Sequence, residues 1–308
     1  MNKEVINWLL EDSNPAIKYR TQTEILGQTV DVTPAKEWVY SKLPEEWYKT
    51  KGLWYIYYVT ALAQCGLSKD DISSEHIKSA FDALENTFEY GCGDFMLLTA
   101  LVQLGYNVQN TIDKIREHSL PDGGFLCSHR LNKLKYVPKS CYKANLHALL
   151  FLAECKKKNI DISSFQPLIN YFINRNIFYK SSDKASLVLS SREGWRTIDV
   201  FYPFEVMRVG VQNIVESFSA LGYGNDDWLQ ESWRLLEKQK DDTGKVILGG
   251  TLTKSYLPKE KIGKASKWAT FYTFLAESNL AKGILSLICT VSIKPLFKVV
   301  SNIIREYL

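Results

Sequence analysis

Four side chains of the kind that hold soft metal ions fall within one short stretch: Cys127, His129, Cys141 and His147. Thiolate sulfur and imidazole nitrogen are the donors that tetrahedral zinc takes, so the set is a candidate zinc site and zinc is the one cofactor the residues raise. The spacing constrains it. No Cys-x-x-Cys pair occurs, and six residues on a helix turn a side chain through about 600°, roughly 120° off the starting face. Cys141 and His147 can share an ion only if one of them precedes the helix that carries the other. The bland alternative is two small buried thiols and two partly exposed imidazoles.

Acid–base candidates are few. Asp94 follows Gly91-Cys92-Gly93 at the start of an apolar run; it is either an acid poised over a cavity or the cap of a helix. Glu205 and Arg208 lie three apart after Tyr202-Pro203-Phe204, so on a helix they share a face and pair. Facing a cavity, Arg208 would hold a diphosphate or carboxylate; facing the wall, the pair is structural. Asp70-Asp71, Asp226-Asp227 and Asp241-Asp242 stand in turns or helix starts, where carboxylates cap or are solvated. No P-loop, dinucleotide fingerprint, His-Glu-x-x-His or Gly-x-Ser-x-Gly motif is present.

The elements that must position these groups read as helices. Ala61-Leu62-Ala63-Gln64-Cys65-Gly66, Ala100-Leu101-Val102-Gln103-Leu104-Gly105 and Ser219-Ala220-Leu221-Gly222 each end an apolar run on a glycine suited to positive φ, and Ala148 to Ala153 is a version without the glycine. A more polar helix follows each time. Two of these run into acidic-glycine turns, Pro121-Asp122-Gly123-Gly124-Phe125 and Gln239-Lys240-Asp241-Asp242-Thr243-Gly244. A hairpin of this kind cannot bury both faces alone, so copies must stack, as an open solenoid or a closed ring, with the apolar helices inside.

The repeated Leu-Gly helix followed by an Asp-Gly turn is similar to the repeats of terpenoid cyclases and protein prenyltransferase β subunits, and Asp122-Gly123-Gly124-Phe125 looks like their Asp-Gly-Gly-Phe/Trp turn. Bacterial prenyltransferase/squalene-oxidase-repeat proteins resemble the chain over nearly its whole length to Glu277, in Trp8 to Tyr19, Asp122 to Cys127, Ser140-Cys141 and Ser266-Lys267-Trp268. The resemblance implies an all-α fold, an α/α toroid of inner and outer helices, and an isoprenoid or other elongated apolar substrate with transferase or cyclase chemistry. Arg130-Leu131-Asn132-Lys133-Leu134 and Ser140-Cys141-Tyr142 resemble the protein prenyltransferase segment whose cysteine binds zinc, which would place Cys141 at a metal. Lys139 stands where that segment has a ligand Asp, the later His has no counterpart in Trp268 to Tyr272, and the Asp-x-Asp-Asp acid of terpene cyclases is absent.

Aromatic residues make 13% of the chain, enough for a core and for a cavity lining. Trp54, Tyr58, Tyr142, Tyr202 and Trp268 are the candidates for such a lining, against the plainer role of core packing. The 308 residues divide into an N-terminal helical segment (1–50), the repeat body (51–280) and an apolar, basic tail (281–308). With 38 basic and 34 acidic residues, the charge is too mixed for a nucleic-acid footprint. The N-terminal stretch is too short and interrupted for a signal peptide, and the cysteine spacing is irregular, which together predict a reducing, cytoplasmic setting. Pro295 and two lysines interrupt the tail, so it is read as a last packed helix, or else as a peripheral membrane contact. The competing function is a binding or scaffold protein that keeps the ring without the chemistry.

Overall fold

The structure, a computed structural model, describes residues 2–128, 139–202, 208–251 and 257–290. His129, Glu205 and residues 291–308 of the apolar tail lie outside the described residues.

The fold is all-α. The described helices are α1 (Lys3–Leu9), α2 (Pro15–Arg20), α3 (Thr33–Tyr40), α4 (Leu53–Gln64), α5 (Ser74–Asn86), α6 (Cys92–Leu104), α7 (Gln109–Arg116), α8 (Tyr142–Lys157), α9 (Gln166–Ile173), α10 (Val211–Ala220), α11 (Gln230–Glu237) and α12 (Lys267–Thr290). Helix α2 begins as the sequence predicts, with Pro15 in its first turn and the Asn14 side chain accepting from the Ile17 N–H, and it continues into a π-helical turn at Thr21–Ile25. Among the described residues, β structure is confined to isolated bridges such as Lys240 with Val246 and Ile247 with Ala265.

The glycine stops are where the motif put them: Gly66, Gly105 and Gly222 all hold positive φ just past their helices. The version without glycine, α8, is followed by Asn159 at φ 57°, the non-glycine residue that tolerates this region best. Burial separates two kinds of helix. In α6 nine of thirteen residues are buried, on every side, whereas α5 buries only Ile77, Ala80 and Leu84, one stripe at helical spacing. Helices α4, α6, α8, α10 and α12 pack each on the next, and α12 packs on α2 and its π turn.

One arginine joins the two ends of that succession. Arg20, the last residue of α2, is 5% exposed. Its guanidinium grips Glu24 through Nε and through Nη2 at 2.8 Å, and donates to the Gln64 carbonyl of α4 at 3.1 Å and to the Tyr272 hydroxyl of α12 at 3.2 Å. The first fifty residues therefore pack into the same body as the repeats. Helix α1 sits outside α12, where Lys267 donates to the Trp8 carbonyl at 2.7 Å and the Asn2 amide reaches the Thr243 carbonyl.

The joints between polar and apolar helices repeat in atomic detail. The Cys141 N–H donates to the Phe125 carbonyl, and the Phe125 N–H to the Asn145 side chain in the fourth position of α8. The Ser266 N–H donates to the Val246 carbonyl, and the Val246 N–H to the Thr270 hydroxyl in the fourth position of α12. The Asp-Gly turns serve these joints. Asp122 accepts from the Ser140 N–H and hydroxyl, and Asp241 accepts from the Thr243 and Lys245 N–H groups. A Cβ on Gly123 would stand 2.3 Å from the Pro167 carbonyl oxygen, so only glycine fits.

Removing one partner of a buried ion pair strands the other. Arg20→Ala is expected to cost about 3 kcal/mol, toward the low end because Glu24 keeps some contact with water. Urea denaturation of both proteins measures it; a loss below about 1 kcal/mol would show that Arg20 does not hold the seam.

Candidate functional site

Three of the apolar helices contribute one stripe each to a shared cavity. Thr60 and Gln64 of α4, Met96 and Thr99 of α6, and His147 and Leu150 of α8 face it at three- or four-residue spacing. Arg208, Val209, Asn213 and Tyr272 complete the lining. Its volume is about 40 Å³, room for a few water-sized groups, so an elongated substrate would reach beyond it.

The lining is mostly apolar surface into which a few polar side chains are set. His147 and Asn213 are 5% and 8% exposed. The Thr60 hydroxyl is buried with no hydrogen-bond partner among the described residues, whereas the Thr99 hydroxyl donates to the Phe95 carbonyl at 2.6 Å. The floor is a hydrogen-bonded set in which Tyr272 donates to Gln64, Gln64 donates to Gln103, and Arg20 reaches both Tyr272 and Gln64. Burial pushes the Tyr272 hydroxyl up to about 12, with Arg20 opposing the rise. For Arg20, burial works against the charge, but Glu24 and Tyr272 outweigh it and hold the guanidinium protonated. Arg20 in turn lines a wider depression of about 800 Å³ beneath this floor, near the C-terminal ends of α4, α8 and α10. There Lys157 bridges Glu154 and Glu216 at 2.7 Å each, tying α8 to α10.

Arg208 is among the residues that line the cavity. Its guanidinium lies 4.7 Å from the ring centre of Trp195, a residue that is 39% exposed. That pair leads from the cavity to the surface. Glu205, read as its partner, lies outside the described residues.

The other sequence candidates separate. Tyr142, Tyr202 and Trp268 are buried wall residues: the Tyr142 hydroxyl donates to the Ile177 carbonyl at 2.9 Å, the Tyr202 hydroxyl donates to the Pro258 carbonyl at 3.1 Å, and Trp268 is 1% exposed. Trp54 is 38% exposed and stacks its edge with Tyr57 and Tyr58 at the start of α4, a turn away from the cavity stripe at Thr60 and Gln64. Helical register decides this, since aromatic residues at the helix starts precede the stripes that face inward. Asp94 caps α6, accepting from the Gly91 N–H at 2.8 Å and the Glu89 N–H at 3.2 Å. Burial raises its carboxyl above the usual range, and those two backbone bonds oppose the rise.

The zinc set separates as well. Cys141 precedes α8, the arrangement the spacing required, yet His147 faces the central cavity. Cys141 instead meets Cys92, a residue the sequence reading passed over, and Cys127 borders them. His129 lies outside the described residues. Among the described residues, no three His, Cys, Asp or Glu side chains stand ready in ligand geometry. The lining includes polar positions within apolar helices, Thr60, Gln64, Thr99 and His147, but Gln103 and Asn145 are polar positions of the same helices with partners elsewhere, so the pattern alone does not pick out the lining.

Asp94 is the third residue of α6 and reaches back to the Gly91 N–H at the N-cap, a bond that an asparagine oxygen also accepts and alanine cannot. Asp94→Asn is therefore expected to leave stability within about 0.5 kcal/mol of the parent, while Asp94→Ala loses about 1 kcal/mol. Equal losses in the two variants, measured by urea denaturation, would remove the capping role.

No described helix is long and apolar enough to cross a membrane. Compared with family models, curated proteins and solved structures, the chain matches none.

Proposed function

We propose that the chain is an α/α toroid of the terpenoid cyclase and protein prenyltransferase kind that binds an elongated apolar molecule by a small anionic head. The reading rests on one observation: Arg208 and His147 line the same small cavity. Guanidinium and imidazole are donors to carboxylate or phosphoryl oxygens, and the Thr60 hydroxyl and Asn213 amide add neutral partners. The size of the cavity suits one such group rather than a chain. The apolar part of the ligand then runs out over Trp195, whose ring is both packed on Arg208 and open to solvent. The succession of helix contacts that returns through Arg20 supports the toroid. Such a ligand polarises at its head, and transferase or cyclase chemistry would act there.

Binding to the native state raises the melting temperature. In thermal-shift titrations, farnesyl phosphate should stabilise the protein more than farnesol. Arg208→Ala is expected to weaken the phosphate by about tenfold or more and to leave the alcohol nearly unchanged, because only the phosphate uses the charged fork. Trp195→Ala should weaken both alike. Equal losses for the two ligands in Arg208→Ala would take Arg208 out of the site, and no shift with any of them would favour a scaffold that holds no such ligand.

A further inference from the structure

The depression beneath the cavity floor has the volume of a small-molecule site, about 800 Å³. Five cationic side chains line it against two carboxylates. Both carboxylates are already held, Glu24 by Arg20 and Glu154 by Lys157. Lys156 and Lys158 at the end of α8 and Lys282 of α12 are therefore in excess. Among the described residues none of the three is in an ion pair, and Lys282 reaches the Glu24 backbone carbonyl at 3.4 Å. Lysines at a helix C-terminus also serve the helix dipole, so their charge alone does not make a site. Ser219 supplies the second observation. It is 4% exposed and lines the depression, and its hydroxyl has no hydrogen-bond partner among the described residues. Such a group is costly to bury unless a ligand completes it. The helix-end carbonyls that would repel an anion are occupied: Arg20 donates to that of Gln64, and the Asn159 and Ile160 N–H groups donate to those of Lys156 and Cys155. Part of the wall is apolar. The Tyr19 ring packs on Gly66, where a Cβ would stand 2.7 Å from it, and Leu67 and Leu275 share the lining.

We infer that this depression is a second ligand site, which takes a small organic phosphate. The phosphoryl oxygens accept from the ammonium groups of Lys156, Lys158 and Lys282, and a ligand oxygen accepts from the Ser219 hydroxyl. Lysine suits the task, because a compact charge on a flexible stem reaches a phosphate from two different helices without a fixed angle of approach. The organic body lies against Tyr19, Leu67 and Leu275, a surface that an inorganic ion would leave in water. Arg20 and Lys157 take no part, since Glu24 and Tyr272 occupy the one and Glu154 and Glu216 the other. They form the rigid base on which the free lysines stand. The site is distinct from the cavity that Arg208 lines. One hydrogen-bonded layer, made by Arg20, Gln64, Gln103 and Tyr272, lies between the two. A ligand bound here bridges α8, α10 and α12.

Lysine acetylation of the full chain, followed by mass spectrometry, reads this site alone, because no lysine lines the other cavity. Phenyl phosphate should protect Lys156, Lys158 and Lys282 together. Lys51, exposed before the opposite end of α4, should stay as reactive as before. Inorganic phosphate should protect the same three only at about tenfold higher concentration, for want of the apolar contact. Vesicles of phosphatidic acid should give no protection, because the recessed wall takes the ligand body as well as its phosphate. Ser219→Ala is expected to weaken phenyl phosphate about fivefold while leaving the melting temperature of the unliganded protein unchanged, a split that a structural hydroxyl would not produce. The double variant Lys156→Gln, Lys158→Gln, at exposed positions, should weaken it by about tenfold or more. No protection by phenyl phosphate, equal protection of Lys51, protection by vesicles alone, equal affinity for the two phosphates, or undiminished binding in Ser219→Ala would each overturn the site.

Discussion

The buried guanidinium of Arg20 is the constraint on which the rest of the arrangement depends. A charge withdrawn from water must be matched by partners at hydrogen-bond distance, and here the partners belong to three different helices. Glu24 comes from the π turn that continues α2, Gln64 from α4 and Tyr272 from α12. The Phe271 ring closes one face of the guanidinium at 4.6 Å. Packing apolar helices against each other sets no unique register, but a planar donor with fixed directions does.

A second set of charges does the same on the opposite wall. Lys157 of α8 lies between Glu154 and Glu216, and Glu216 also accepts from Asn279 of α12. Lys157 is held protonated by the two carboxylates against its burial, and burial raises Glu216 while Lys157 opposes the rise. Both sets lie at the C-terminal ends of the inner helices, away from Trp195 and Arg208. The interior is thus rigid and charged at one end and holds its small cavity above that floor.

The sequence made the helices and their stops legible because both rest on local chemistry. Apolar runs of helical length ending on Gly66, Gly105 and Gly222 need no tertiary information, and the Asp-Gly turns at Asp122 and Asp241 serve backbone geometry as their type suggests. What faces the cavity was harder to read. Aromatic size drew attention to Tyr142, Tyr202 and Trp268, yet large rings fill walls, and the lining fell to Thr60, His147 and Asn213. Cys92 and Cys141 lie in separate repeats, and only the packing of α6 on α8 brings them together. Arg20 and Trp195 were silent for the same reason: their partners are far away in the chain. In a stacked architecture the repeat is local, but every site is made between repeats.

The seam at Arg20 also bears on how the chain acquires its form. Successive hairpins can form one upon another as each is synthesised, since their contacts are short in sequence. Arg20 meets Tyr272 across 252 positions, and α1 finds α12 across a similar span. Until α12 exists, the guanidinium has no partner on that side, and water is its better environment. The contact of Arg20 with Tyr272 therefore forms only when α12 is in place, whereas those with Glu24 and Gln64 need only the first part of the chain. One side chain thus makes both a contact four residues away and one that spans most of the chain.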